Sequence, residues 1–156
     1  MPSQGFRAGV GVVIAGDDGR VLVFERQHQP GAHQFPQGGL DLDEEPATGA
    51  LRELHEETGL TADDVELVAE HPEWLTYELP EQHRRGRWRG QSQRWYLFRL
   101  TSSTERIDLS GHGEAPEFRG WSWMTFDEIV EGTIEFRRGV YRRLQEEFEM
   151  QVAPSR

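Results

Sequence analysis

The sequence contains no cysteine and no lysine, and each absence excludes several kinds of chemistry. Without cysteine the chain has no disulfide, no thiolate nucleophile and no sulfur ligand for zinc. All 17 basic residues are arginine, which excludes the lysine of a P-loop and a Schiff-base lysine. The six histidines are scattered without a zinc-ligand spacing. The chemistry that remains is that of carboxylates, arginines and oxygen-bound metal ions.

Long apolar runs are also missing from the 156 residues. Nothing approaches the roughly 18 consecutive apolar residues of a membrane-spanning helix, and the first residues do not follow the signal-peptide pattern. We therefore expect a single domain over residues 1–156, located in the cytoplasm and without a membrane partner. The oligomeric state is left open.

Basic residues are scarce relative to acids, with 28 Asp and Glu against 17 Arg and a formal net charge of −11. More than half of this excess lies in residues 38–60, which contain seven acids and one arginine. A protein this acidic does not attract polyanions by its overall field. Phosphate binding would therefore depend on bound cations and on local arginine clusters.

The stretch 38–60 predicts one helix with clear ends. Pro46 suits the first helical turn, where the missing N–H is not needed, and Gly59 suits the position just after the last turn. We therefore expect a helix from about Pro46 to Thr58. Its apolar side chains form one stripe that can pack on a sheet, namely Ala47, Leu51 and Leu54.

Three glutamates occupy another face of this helix. Glu53, Glu56 and Glu57 are spaced i, i+3 and i+4, which brings like charges together. Hard divalent cations such as Mg²⁺ prefer oxygen ligands of this kind. The alternative interpretation is an acidic face that is simply solvated.

Nine positions of this stretch also match a known pattern, namely Gly38, Glu44, Arg52, Glu53, Leu54, Glu56, Glu57, Gly59 and Leu60. They resemble the Nudix box, G-x5-E-x7-R-E-U-x-E-E-x-G-U, in which U is a bulky aliphatic residue. The resemblance implies an α/β fold, the Nudix α/β/α sandwich with a mixed central sheet. It also implies a hydrolase that cleaves a nucleoside diphosphate linked to another group.

Outside this stretch, hydrophobic periodicity and turn residues predict the remaining elements. Residues 6–15 and 21–24 are expected to form a β-hairpin around a Gly-Asp-Asp-Gly turn. Thr125 and Glu128 predict a capping box before a short helix over residues 127–130. Further strands are expected at 65–69, 74–79, 93–100 and 117–124. A longer helix is expected at 136–150, with Arg137 among its exposed residues.

Residues 82–90 interrupt these elements with QHRRGRWRG, four arginines and a tryptophan without an acid. One interpretation is a solubilising loop. The other is a surface that contacts phosphates, because an aromatic ring between cations is a common way to hold a nucleic acid strand. The sequence leaves both open.

Several further segments resemble the bacterial RNA pyrophosphohydrolase and dinucleoside polyphosphate hydrolase branch of the Nudix family. They are residues 5–7, 34–39, 74–80, 90–95, 116–118, 136–138 and 141–143. The resemblance implies metal-dependent removal of pyrophosphate from 5′-triphosphorylated RNA, with a nucleotide or RNA 5′ end as partner and no recognition of DNA sequence. One alternative is asymmetric hydrolysis of dinucleoside polyphosphates such as diadenosine tetraphosphate. A non-catalytic nucleotide- or RNA-binding module is the alternative from another class.

The same resemblance implies roles for individual residues. The catalytic candidates are Glu53, Glu56, Glu57 and Arg52. The candidate ligands of Mg²⁺, with Mn²⁺ as a substitute, are Gly38, Glu53, Glu56, Glu57 and Glu117, with Glu114 competing for the role of Glu117. The candidate substrate-binding residues are Arg7, Arg26, Tyr77 and Phe136. For the two aromatic residues, core packing is the alternative role.

Overall fold

The computed structural model describes residues 5–84, 86–112 and 114–154. In this part of the chain eight strands form one mixed sheet with three helices around it. The strands are β1 (Phe6–Ala15), β2 (Val21–Arg26), β3 (His33–Gln34), β4 (Gln37–Gly39), β5 (Val65–Glu70), β6 (Leu75–Glu78), β7 (Gly90–Leu100) and β8 (Phe118–Met124). The helices are α1 (Pro46–Thr58), α2 (Phe126–Gly132) and α3 (Glu135–Val152).

Strand β1 lies at the centre of the sheet and pairs in parallel with β7 from Phe6↔Gly90 to Ala15↔Arg99. The main path of the sheet is β3-β2-β1-β7-β5, while β4 pairs with β1, β6 with β7 and β8 with β2. The predicted hairpin has its turn and both strands. However, β1 and β2 pair only at Ala15↔Val21; farther along, β1 pairs with β4 at Gly9–Gly11 and β2 pairs with β3 at Phe24–Glu25.

Side chains alternate along the central strands and feed two separate hydrophobic cores. In β1, Val13 and Ala15 pack in the core that includes α2 and α3. Val12 and Ile14 point to the opposite face, where they pack in the core that includes α1. A strand with two apolar faces belongs in the middle of a sheet that is covered on both sides. The α/β/α sandwich predicted from the sequence is therefore confirmed.

Helix α1 has the predicted ends. Pro46 is in its first turn, and Gly59 ends it in the left-handed region at φ 80°, where its N–H donates to the His55 carbonyl. The buried stripe differs from the predicted one. It begins two residues later and consists of Gly49, Ala50, Leu54 and Thr58. Ala47 is exposed, and Leu51 is only partly buried.

Helices α2 and α3 cover the other face of the sheet. The Thr125–Glu128 capping box is confirmed, with both reciprocal hydrogen bonds present. Arg137 was predicted to be exposed, and this is wrong, because only 9% of it is accessible. It precedes the buried Val140 and Tyr141 by three and four residues, so it continues the apolar stripe of α3. None of the described helices combines the length and hydropathy that crossing a membrane requires.

Candidate active site

Arg52 ties the loop before α1 to the helix itself. Its Nε and Nη2 donate to the two carboxylate oxygens of Glu44, each at 2.8 Å. Nη2 also donates to the Gly39 carbonyl at 2.8 Å, while the Asp41 N–H donates to Glu44 at 3.0 Å. The Arg52 hydrogen bonds lower the pKa of Glu44. A bidentate, charge-assisted pair of this kind fixes geometry as well as contributing energy.

Arg52 also contacts the glutamate face of α1. Its Nη1 donates to Glu53 at 2.9 Å and lies 3.3 Å from Glu56. The Glu53 carboxylate rests against the Cα of Gly38, and a side chain there would overlap it. Glycine at position 38 is therefore needed for the close approach of β4 to the carboxylate.

Glu57 is the most desolvated of the three glutamates. Its Oε2 atom is inaccessible and has no hydrogen-bond partner among the described residues, although part of the residue is exposed. Burial first, and then the charges of Glu53 and Glu117, raise the pKa of Glu57 well above its ordinary value. Burial also raises the pKa of Glu53, against the opposing hydrogen bond from Arg52. Buried carboxylates that repel one another are typical of sites that receive a cation or a proton.

Glu117 approaches this cluster from the start of β8. Its charge is one of the causes that raise the pKa of Glu57, and its Oε1 lies 3.6 Å from Nη1 of Arg26. Glu114, the competing candidate, lies in a turn in which its N–H donates to the Gly111 carbonyl at 3.0 Å. Of the two acids, Glu117 is the one that the fold brings near the glutamates of α1.

A cavity of about 460 Å³ adjoins the carboxylates at Glu117. All four residues predicted to bind substrate line it, namely Arg7, Arg26, Tyr77 and Phe136. They come from β1, β2, β6 and α3, so only the folded chain brings them together. The volume of the cavity is in the range of cavities that accept small molecules or single nucleotides.

The two aromatic residues of the cavity are packed against each other. The rings of Tyr77 and Phe136 stack with centroids 5.8 Å apart and an interplanar angle of 23°. The Tyr77 hydroxyl accepts a hydrogen bond from the Gln37 amide at 3.2 Å. Tyr77 is 8% exposed and belongs to the core, whereas Phe136 is only partly buried. The core-packing alternative therefore describes Tyr77 better than Phe136.

Two guanidinium groups share one acceptor at the side of the cavity. Arg26 and Arg137 donate to the same Gln34 side-chain oxygen, at 2.9 Å and 3.0 Å. Within the described residues Arg137 forms no ion pair, and its Nε has no hydrogen-bond partner. Sequence reasoning missed this residue. The available signal was its position in the apolar stripe of α3, where an arginine is unusual.

The arginine-rich segment 82–90 proves only partly free to meet phosphates. Arg89 pairs with Glu78 at 2.6 Å, and Arg94, just beyond the segment, pairs with Glu70. Trp88 lines the cavity, which supports the second of the two interpretations that the sequence left open, a surface that contacts phosphates. Among its described residues, the segment thus combines one ion-paired arginine, Arg89, with a ring at the mouth of the site.

The sandwich fold and the carboxylates beside an arginine-lined cavity are typical of a phosphoanhydride hydrolase. The NUDIX domain matches residues 5–148, so the chain belongs to the Nudix hydrolase family. This confirms the family predicted from residues 38–60.

Individual relatives agree with this assignment. Nudix hydrolase 26, chloroplastic, of Arabidopsis thaliana is 39% identical over 155 residues, which cover 94% of this chain and 71% of the relative. An RNA pyrophosphohydrolase of Vibrio vulnificus is 40% identical over 162 residues, covering 100% and 92% of the two chains. A solved Ap4A hydrolase complex from C. elegans has a TM-score of 0.67 at 18% identity, with 91% and 97% coverage. That structural likeness supports the fold.

Nudix hydrolases generally need divalent metal ions, and the residues of this site fit such an ion. The donor set consists of carboxylate oxygens, which hard cations prefer, and it includes the buried Glu57 oxygen without a partner. Across residues 5–84, 86–112 and 114–154, no three His, Asp or Glu side chains converge into a ready-made ion site. Arg52 occupies Glu53 and Glu56 instead, so an ion would compete with this guanidinium.

Proposed function

We propose that this chain is a Mg²⁺-dependent pyrophosphohydrolase that removes pyrophosphate from the 5′ end of triphosphorylated RNA, with Mn²⁺ as a substitute ion. The cytoplasm is its proposed location. Support for the substrate comes from the similarity to RNA pyrophosphohydrolases along the full chain, such as that of Vibrio vulnificus.

The observation that carries this proposal is that Glu117 connects the carboxylates of α1 with Arg26 of the cavity wall. Glu117 raises the pKa of Glu57 on one side and lies 3.6 Å from Arg26 on the other. A polyphosphate in the cavity would therefore have cationic side chains along its length and the carboxylate cluster at its reacting phosphorus. This is the arrangement that hydrolysis of a phosphoanhydride needs.

In the proposed mechanism, Glu53, Glu56, Glu57 and Glu117 would hold the divalent ion, with the Gly38 carbonyl as a further candidate ligand. Such an ion, when bound, would supply Lewis acidity for activating water and for neutralising negative charge on phosphate oxygens. Glu53 and Glu57 are the two candidates for the general base, since both have a raised pKa, mainly through burial. Arg52 orients Glu53 and Glu56 and does not contact the substrate.

The cavity residues bind and orient the substrate in this mechanism. Arg7, whose guanidinium lies against Gly39, and Arg26 neutralise phosphate oxygens. Phe136 supports the terminal base, with the Tyr77 ring packed behind it. Water, whose proton passes to Glu53 or Glu57, then attacks a phosphorus of the α–β bridge. The P–O bond between that phosphorus and the bridging oxygen breaks, and the products are pyrophosphate and an RNA that ends in a 5′ monophosphate.

The experiment that tests this proposal compares substrates on the purified protein with Mg²⁺. We expect kcat/KM to be highest for a 5′-triphosphorylated oligoribonucleotide, lower for diadenosine tetraphosphate and lowest for ADP-ribose. A higher value for diadenosine tetraphosphate would support asymmetric dinucleotide cleavage instead. Hydrolysis of ADP-ribose alone would refute the branch assignment.

The non-catalytic alternative makes a different prediction in the same assay. A binding module would bind the triphosphorylated RNA without Mg²⁺ and release no pyrophosphate when Mg²⁺ or Mn²⁺ is added. Clustered carboxylates argue against it, because a binder of polyanions gains nothing from buried negative charge. Pyrophosphate release with either ion would exclude this alternative.

A further inference from the structure

We propose that Trp88 stacks on a nucleobase downstream of the triphosphate-bearing nucleotide and so makes the enzyme prefer an RNA chain to a free nucleotide. The inference rests on the proposed function and adds a specificity-determining residue to it. Three observations support it. Trp88 lies at the edge of the cavity, the neighbouring rings pack on one another, and hydrogen bonds hold the ends of the loop that bears Trp88.

Trp88 is a partly exposed ring at the edge of the cavity. It lines the cavity together with Arg7 and Phe136. The Arg87 guanidinium lies over the Trp88 ring at 4.7 Å, and Arg87 itself is outside the lining. The Trp88 ring thus borders the cavity, and the guanidinium packed on it belongs to a residue that does not line the cavity.

The other aromatic rings of the cavity pack on one another. Tyr77 and Phe136 stack on each other, and the His83 ring lies 5.4 Å from Phe136. Among the described residues no second aromatic ring packs on Trp88. The Trp88 ring, which carries the Arg87 guanidinium but no second ring, is therefore the ring of the cavity wall that remains for a base following the first nucleotide.

The loop that bears Trp88 is tied at its ends, so the ring has a defined place. The Leu79 N–H donates to the Arg89 carbonyl at 2.8 Å, and the Arg89 N–H donates to the Gly5 carbonyl at 2.6 Å. The Arg89 side chain pairs with Glu78 at 2.6 Å. Trp88 directly precedes this anchor. A platform held in this way loses little freedom when a base stacks on it.

The charge of the loop favours a chain of phosphates in an otherwise acidic protein. Residues 82–90 contain four arginines and no acid. Arg87 forms no ion pair within the described residues. Stacking with neighbouring cations is the sequence-tolerant way in which single strands are held. We therefore expect Trp88 to recognise the presence of a downstream base and not its identity.

The test uses substrates that share the first nucleotide and differ in length, from the nucleoside triphosphate to triphosphorylated RNA of two, four and eight nucleotides. In Trp88→Ala we expect kcat/KM to fall about tenfold more on RNA than on the nucleoside triphosphate, mainly through KM. Trp88→Phe, which keeps an aromatic face, should recover most of the loss. Trp121→Ala removes a tryptophan exposed on β8 and serves as the matched control.

A second readout avoids turnover. Anisotropy of a labelled, triphosphorylated eight-nucleotide RNA on Glu56→Gln should give a Kd about tenfold lower than on the double variant with Trp88→Ala. Equal Kd values, or equal losses of kcat/KM on nucleotide and RNA, would overturn the inference and leave the proposed function standing. A wild-type protein that hydrolyses no RNA would overturn both.

Discussion

The acidic face of α1 and the wall of the cavity are built in different ways. The acidic face lies within residues 38–60 and is braced by one arginine, because Arg52 contacts Glu44, Glu53 and Glu56. The cavity wall draws on β1, β2, β6, α3 and the loop before β7. In the proposed mechanism, three of the four carboxylates that would hold the ion therefore come from one contiguous segment, with Glu117 added by the fold, whereas substrate choice depends on segments that can vary separately.

The largest expected effect concerns the acidic face. Glu56→Gln and Glu57→Gln should each lower kcat by about 10²- to 10³-fold, because each removes a carboxylate from the cluster proposed to hold the ion. Turnover of triphosphorylated RNA with Mg²⁺ measures this. Glu66→Gln, on the exposed side of β5, is the control and should retain wild-type kcat. Near-wild-type kcat in the two α1 variants would remove them from the mechanism.

The next largest effect tests the brace. Arg52→Gln should lower the free energy of unfolding by about 3 kcal/mol, because Glu44, whose side chain is 11% exposed, would lose its bidentate partner while staying largely buried. Urea denaturation measures this loss. Arg142→Gln changes an exposed arginine of α3 and should change stability by less than about 0.5 kcal/mol. Equal stabilities would mean that Arg52 does not brace the loop.

A smaller effect is expected on the cavity wall. Arg137→Gln should raise KM for triphosphorylated RNA about 5- to 10-fold with kcat nearly unchanged, because a buried cation beside Arg26 is lost from the wall while the carboxylates keep their places. Steady-state kinetics with Arg142→Gln as control measures it. A fall in kcat without a change in KM would link Arg137 to the chemistry instead.

The same contrast explains what the sequence could predict. Pro46 and Gly59 act locally, so the ends of α1 are predicted to the residue. The pairing of β1 with β7 joins residues more than 80 positions apart, whereas local turn signals could predict only the hairpin of β1 with β2. Arg137 was misplaced because its charge was given more weight than its position in the helix period.

The site residues also divide into those that local spacing predicts and those that it does not. The glutamates of α1 share one helix face, which spacing alone predicts. Glu117, Arg7 and Arg26 came from the resemblance to a family and not from any pattern within this chain. Trp88 was left between two interpretations, because only the folded hairpin of β6 and β7 places its loop beside the cavity.

The smallest effect concerns pH, through two carboxyl groups of residues 38–60 whose pKa values shift in opposite directions. Burial raises the pKa of Glu57 above its ordinary value of 4.5, whereas the unfolded chain keeps an ordinary carboxyl group. Between these two pKa values the folded state binds more protons than the unfolded state, so the free energy of unfolding falls as pH rises through the window. The Arg52 pair acts in the opposite sense, since the pKa of Glu44 is lowered and its contribution is lost as pH falls.

Glu57→Gln isolates the first of these effects, because the variant keeps Glu44 and Arg52. The quantity to follow, without divalent ions, is the free energy of unfolding of the wild type minus that of the variant. This difference should become more negative as pH rises above about 4.5, by on the order of 1 kcal/mol. This corresponds to a melting temperature about 2 to 4 °C higher in the variant at neutral pH. Mg²⁺ should reduce the difference, since an ion bound to the carboxylates stabilises only the wild-type cluster. A difference that does not change with pH would show that Glu57 is not strained by its neighbours.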